Sequence, residues 1–234
     1  MRRRRPPLVP LLALVFLLAA FAPRQQKSWT LPQVLAALTR AAPAIHSVSA
    51  AAAVVDYTAL VQEADHSAGQ LYFEQGAHGP RYLLDLTTPK ATAKKLIYTG
   101  QTAYVYTPSA QQVVKYSMSA HPQEIDQYIL LGMGATGAQL EKSFLVTLDG
   151  PDSVDGRAAV KLTLTPRSPR LQGRLTHLDI WFDPATWLGI QQQMWQPGGD
   201  YHLLTLSRVQ LNPQLSVKLF STDFPGATVI VPHF

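Results

Sequence analysis

Seven histidines, His46, His66, His78, His121, His177, His202 and His233, are the first residues of this 234-residue sequence to test for chemistry. None stands in a His-x-x-x-His pair, the spacing that sets two imidazoles on one helix face for a metal. His177 and Asp179 lie two apart and so share a strand face. With no cysteine and no third ligand nearby, they read as solvated face residues and not as a metal site. No Gly-x-Ser-x-Gly elbow presents a serine nucleophile, and no Gly-x-x-x-x-Gly-Lys or Gly-x-Gly-x-x-Gly loop cradles a phosphate. Gly132-Met133-Gly134 reads as a hinge beside a helix. The carboxylates Asp149, Asp152, Asp155 and Asp183 scatter over turns. The cysteine count of zero removes disulfides, thiolate metal sites and a thiol nucleophile. The expectation is a protein that is not an enzyme, with no cofactor and no metal.

The N-terminus carries a different kind of signal. Arg2-Arg3-Arg4-Arg5 and Pro6-Pro7 precede an apolar run from Leu8 to Ala22 that ends on the small residues Ala20 and Ala22. A basic, then apolar, then small-residue order reads as a secretory signal over residues 1–22. The run is shorter than the roughly 20 apolar residues of a membrane-spanning helix. Pro23 is a poor cleavage context, so cleavage of the leader and its retention as an anchor both stay open. No cysteine follows the leader to be acylated, which favours a soluble protein over a lipoprotein. The leader also carries the charge: the chain has 20 Lys+Arg against 15 Asp+Glu, and four of the basic residues lie in 1–22. A mature part so near neutrality gives no electrostatic case for binding nucleic acid or an anionic membrane.

The remaining chain divides into a flexible segment over 23–30 and one domain over 31–234. Leu31, Val34, Leu35 and Leu38 recur at helical spacing, with Pro32 suited to a first turn and Pro43 ending the run. After it the pattern alternates. Expected strands are Val48 to Val61, Gly69 to Glu74, Tyr82 to Leu86, Lys94 to Tyr98, Ala103 to Tyr106 and Val113 to Tyr116. Pro122 to Gly134 breaks the rhythm with a helical face, and a short helical turn follows at Ala138 to Lys142. Strands resume at Phe144 to Leu148, Ala158 to Thr165, Leu175 to Phe182, Trp187 to Trp195 and Tyr201 to Val209. Asp183 to Thr186 and Pro197 to Asp200 are hairpin turns. A final strand pair is expected at Ser216 to Phe220 and Thr228 to Val231.

Val160, Leu162 and Leu164 share one strand face, and so do Leu178, Ile180 and Phe182. The expected class is mainly β (α+β): a curled antiparallel sheet with one greasy face and little helix to cover it. On the pattern alone two readings stay open, a well-packed core and a ligand cavity in a partial barrel. The strand aromatics, Tyr82 foremost, carry the same two readings.

The stretches Gly69-Gln70-Leu71-Tyr72-Phe73, Gly79-Pro80-Arg81-Tyr82-Leu83-Leu84-Asp85-Leu86, Ile97 to Pro108, Tyr128 to Gly137, Leu178-Asp179-Ile180-Trp181-Phe182-Asp183 and Phe224-Pro225-Gly226-Ala227-Thr228-Val229 follow a familiar order. In that order the chain resembles the periplasmic outer-membrane lipoprotein carrier family, LolA-like, with its receptor relative LolB. The resemblance implies an unclosed half-barrel of about eleven strands. An N-terminal helix and a helical lid would cover its concave apolar face, where acyl chains of lipoproteins or other lipids bind. It assigns lipid contact to Tyr82, Leu84, Leu86, Tyr104, Leu162, Leu164 and Ile180, and to Ile129, Leu130 and Met133 of the lid. Family members often place an Arg before the proline of this strand to latch the lid. Here Arg81 follows Pro80, so this candidate latch is turned by one residue towards the other face. The implied partners are lipid or lipoprotein acyl chains, an inner-membrane lipoprotein-releasing transporter and an outer-membrane acceptor, with a periplasmic monomer as the working form. The alternative is a lipid-sensing regulatory module of the same fold.

Overall fold

The computed structural model describes residues 28–77, 79–117 and 130–232. The expected leader, His78, His121, His233 and most of the expected helix at Pro122 to Gly134 lie outside them.

The chain enters through α1 (Leu31–Ala41), where the Thr30 backbone N–H donates to Gln33 Oε1 at 3.0 Å and Pro32 fits the first turn. Its buried stripe is Val34, Leu35, Ala37 and Leu38. The strands that follow are β1 (Ser47–Thr58), β2 (Glu63–Gly76), β3 (Gly79–Thr88), β4 (Lys94–Thr99), β5 (Thr102–Thr107) and β6 (Gln112–Ser117). Then come α2 (Gly137–Ser143), β7 (Phe144–Val154), β8 (Arg157–Pro166), the short α3 (Pro169–Gln172), β9 (His177–Phe182), β10 (Gly189–Trp195), β11 (Tyr201–Leu211) and β12 (Thr228–Ile230).

The twelve strands among the described residues belong to one sheet, in the order β12-β6-β5-β4-β3-β2-β1-β11-β10-β9-β8-β7. The chain starts in the middle at β1 and runs out to one rim at β6. It resumes at the opposite rim with β7 and returns through β11 to pair with β1. Every ladder is antiparallel except β12 on β6. The rims β12 and β7 do not pair, so the sheet is an unclosed half-barrel, as the resemblance implied.

Two features bend it. At the slip in register between Ala68 and Gly69, β2 passes so close to β3 that a Cβ on Gly69 would meet the Asp85 carbonyl oxygen at 1.8 Å. A second slip, at Leu148/Gly150, lets β7 continue through Asp149 and Asp152 to Val154. These aspartates were expected in turns, and the bulge is what carries the strand past them.

The expected final strand pair is corrected. Val217–Phe220 is a 3-10 turn, where Ser216 Oγ accepts the Lys218 N–H. Its Leu219 and Phe220 pack on Leu83 and Ile97 of the convex face. That burial outweighs strand pairing, and β12 instead adds alone to β6 in parallel. The glycine-rich stretch after residue 131 is also not an open hinge. Gly132 sits against the backbone of Gly189 and its carbonyl accepts the Gly189 N–H at 2.8 Å. Gly137 rests on the backbone of Leu35, and its N–H donates to Thr39 Oγ1. Both are close-packing points where a side chain has no room.

Candidate functional site

The concave face divides into two halves. Over β7, β8 and β9, the side chains of Phe144, Val146, Val160, Leu162, Leu164, Leu178 and Ile180 meet Val34, Leu35 and Leu38 of α1 and Leu140 of α2. This half is a packed helix-on-sheet core. Over β1 to β4 and β11 the floor is Val48, Ala50, Ala52, Val54, Leu71, Phe73, Tyr82, Leu84, Leu86, Leu204 and Leu206. Among the described residues, the buried non-strand side chains that meet this floor are Ile45, Met133 and Leu188, with Leu130 partly buried against it.

The register shows why these residues converge. Tyr82 lies opposite Phe73 and Tyr98, Leu84 opposite Leu71 and Leu96, and Leu86 opposite Gly69 and Lys94. Directly opposed residues of a ladder share a face, so one alternation in β3 carries across three strands. Burial raises the Tyr82 phenol well above its usual pKa, which keeps the ring neutral.

The structure therefore brings Tyr82, Leu84, Leu86, Leu130 and Met133 together in one apolar cluster on the concave face, buried except for the partly buried Leu130. Leu162, Leu164 and Ile180 lie on the same concave side, under the helices of the packed half. Ile129 lies outside the described residues.

Tyr104 is a correction. It opposes Ile97, which opposes Leu83, and all three point to the convex face beneath the segment carrying Leu215, Leu219 and Phe220. The turn between Thr99 and Thr102 sets Ala103 opposite Tyr98, so Ala103 and Val105 take the concave positions in β5.

Arg81 is also corrected as a latch. Its guanidinium pairs with Glu74 directly across the ladder and lies 4.8 Å from the Phe220 ring centre, on the convex side. It ties β3 to β2 and to the C-terminal segment, away from the trough.

The pair His177 and Asp179 is on the convex face too. Asp179 holds Lys161 at 3.1 Å and accepts from Thr163 Oγ1 at 2.6 Å, while His177 Nε2 stands 3.9 Å away. Desolvation works against the charge on Lys161, but the hydrogen bonds it donates to Asp179 and Asp149, with their coulombic attraction, outweigh it and raise its pKa. Asp179 is thus neutralised inside an ion-pair cluster. No three of His, Asp and Glu gather as metal ligands among the described residues.

The sequence assigned no lipid contact to Gly69, Leu71 and Phe73 of β2, and no shared site to Asp56, Lys94 and His202 on the concave face. The signal was present: once β2 pairs with β3, the alternation of Tyr82 fixes which residues of β2 face the trough.

The chain is thus an open half-barrel with an apolar concave face and a helix-packed flank, and comparison with solved structures bears on which fold it is. An uncharacterised conserved protein of Thermus thermophilus superposes with a TM-score of 0.53 at 11% identity, over 86% of this chain and 98% of that one. MucB superposes with a TM-score of 0.51 at 15% identity, over 82% of this chain and 62% of MucB, so the chain spans about three fifths of that protein. A LolA superfamily protein from Nitrosomonas europaea is similar at a TM-score of 0.41 and 15% identity, over 81% and 98% of the two chains. The chain shares the open half-barrel fold of the Thermus thermophilus protein and of MucB. No family profile matches the sequence, and no curated protein matches it.

Proposed function

We propose that the chain is a periplasmic carrier that takes acyl chains of lipoproteins or other lipids onto the apolar trough and shuttles them from inner to outer membrane. One observation carries the reading: an unbroken apolar floor from Val48 through Leu71 to Leu84 on the inside of a sheet that does not close. Burial of a chain of about 14 carbons is worth roughly 11 kcal/mol before losses, at about 0.8 kcal/mol per CH₂. That suffices to extract a lipid, and release then requires the trough to open.

Native mass spectrometry of the purified protein, followed by solvent extraction, is the direct test. A co-purified acyl compound is expected; a ligand-free protein that also fails to take up a fatty acid would end the proposal. The MucB likeness favours a second reading, since MucB has been solved in complex with another protein, MucA. On that reading the chain is a lipid-sensing regulatory module, and lipid would change its affinity for a protein partner instead of being delivered.

A further inference from the structure

Among the described residues, a charged cluster lies on the concave face at the end where β1 and β11 run out to their turns. Asp56 lies directly opposite His202, with Oδ1 and the imidazole Nδ1 2.5 Å apart. Lys94, at the start of β4, brings Nζ to 4.0 Å from Oδ2 of the same carboxylate. In the strand order β4 stands three places from β1, about 14 Å along a flat sheet. The contact exists because the sheet curls back on itself, so the pair spans the trough. All three residues belong to its apolar face: Asp56 follows Val54, His202 precedes Leu204, and Lys94 opposes Leu86.

The three side chains are 40%, 28% and 45% exposed for Asp56, His202 and Lys94. A ligand's polar end can reach them. Among the described residues, the other charges near it on this face are Asp65, opposite Asp56, and Glu63, opposite Thr58, both exposed. One ammonium among these carboxylates leaves no positive excess, so a phosphate or carboxylate finds no net attraction there. The cluster does offer carboxylate acceptors, ammonium donors and an imidazole Nε2 that has no partner among the described residues. A hydroxyl both donates and accepts, so a hydroxyl-rich group matches this mixed set, whereas an anion matches only the donors.

We propose that Asp56, His202 and Lys94 form a headgroup subsite at the rim of the trough, selecting amphiphiles with an uncharged, hydroxyl-rich head over anionic ones. The inference rests on the acyl-chain reading of the trough. On that reading the tail enters beside Val54, Leu204 and Leu86, which are buried in this structure, and the head stays at the rim in contact with water.

The test titrates dodecyl maltoside and dodecyl phosphate, which share a tail, into the protein below their micellar concentrations and follows calorimetry. The maltoside is expected to bind about tenfold more tightly, the scale of one or two net hydrogen bonds. Lys94→Met and Asp56→Asn, both at part-exposed positions, are each expected to cut that preference to about twofold or less. Equal affinities in the wild type, tighter binding of the phosphate, or a preference that survives both substitutions would overturn the subsite while leaving the acyl-chain reading intact. Binding of neither amphiphile would overturn both.

Discussion

Gly69 lies under the carbonyl of Asp85 so closely that a methyl group there would sit 1.8 Å from the oxygen. Space and not backbone freedom demands the glycine, because the atom in the way is main chain of the neighbouring strand. The same point is the register slip between β2 and β3. Gly69→Ala is expected to destabilise the fold by at least about 1–3 kcal/mol, as over-packing does. Urea unfolding measures the loss, and the variant should bind a dodecyl amphiphile more weakly even where it remains folded.

Arg81 has been placed on the convex side, paired with Glu74 and lying against Phe220. Arg81→Met is therefore expected to cost stability, about 1 kcal/mol for a part-exposed ion pair and ring contact. Rates of lipid uptake and release should stay within twofold of wild type, since the side chain does not face the trough. A stopped-flow fluorescence assay with a fluorescent fatty acid separates the two effects.

Phe220 is the anchor of the C-terminal segment, buried with Leu83 and Ile97. Phe220→Ala should cost about 3–5 kcal/mol. It should also raise hydrogen exchange at Thr228–Ile230, the short strand that the segment delivers to β6. Exchange mass spectrometry on the variant resolves that local effect from the global one.

Asp152 accepts the indole N–H of Trp181 at 2.7 Å, and this bond, with the Ser153 backbone N–H, holds its carboxyl below the usual range. A carboxylate with a lowered folded pKa adds stability above its unfolded value of about 4 and loses that contribution as pH falls through the lowered one. Asp152→Asn should therefore melt at a lower temperature than wild type at neutral pH. The gap should close as the solution becomes strongly acidic. Melting curves across pH check both limbs.

Much of this architecture was legible because strand alternation is a local property. Tyr82, Leu84 and Leu86 could be assigned to one face from their spacing, and α1 from Val34, Leu35 and Leu38. What escaped depended on partners distant in sequence. Tyr104 was assigned to the trough as an aromatic, but the turn at Gly100 set its parity, and Ile97 and Leu83 carried it to the other side. Phe220 read as a strand residue because the convex surface that buries it is built from β3 and β4. Asp56, Lys94 and His202 are spread over 146 residues and meet only through curvature, which no short window of sequence encodes.

The rims β12 and β7 stand at opposite ends of the strand order with no ladder between them. In a closed barrel, strand number and stagger fix the bore. Here the girth is set only by the twist between neighbours, and small changes at each junction accumulate over the sheet. The half-barrel can thus widen or narrow while every backbone hydrogen bond stays made.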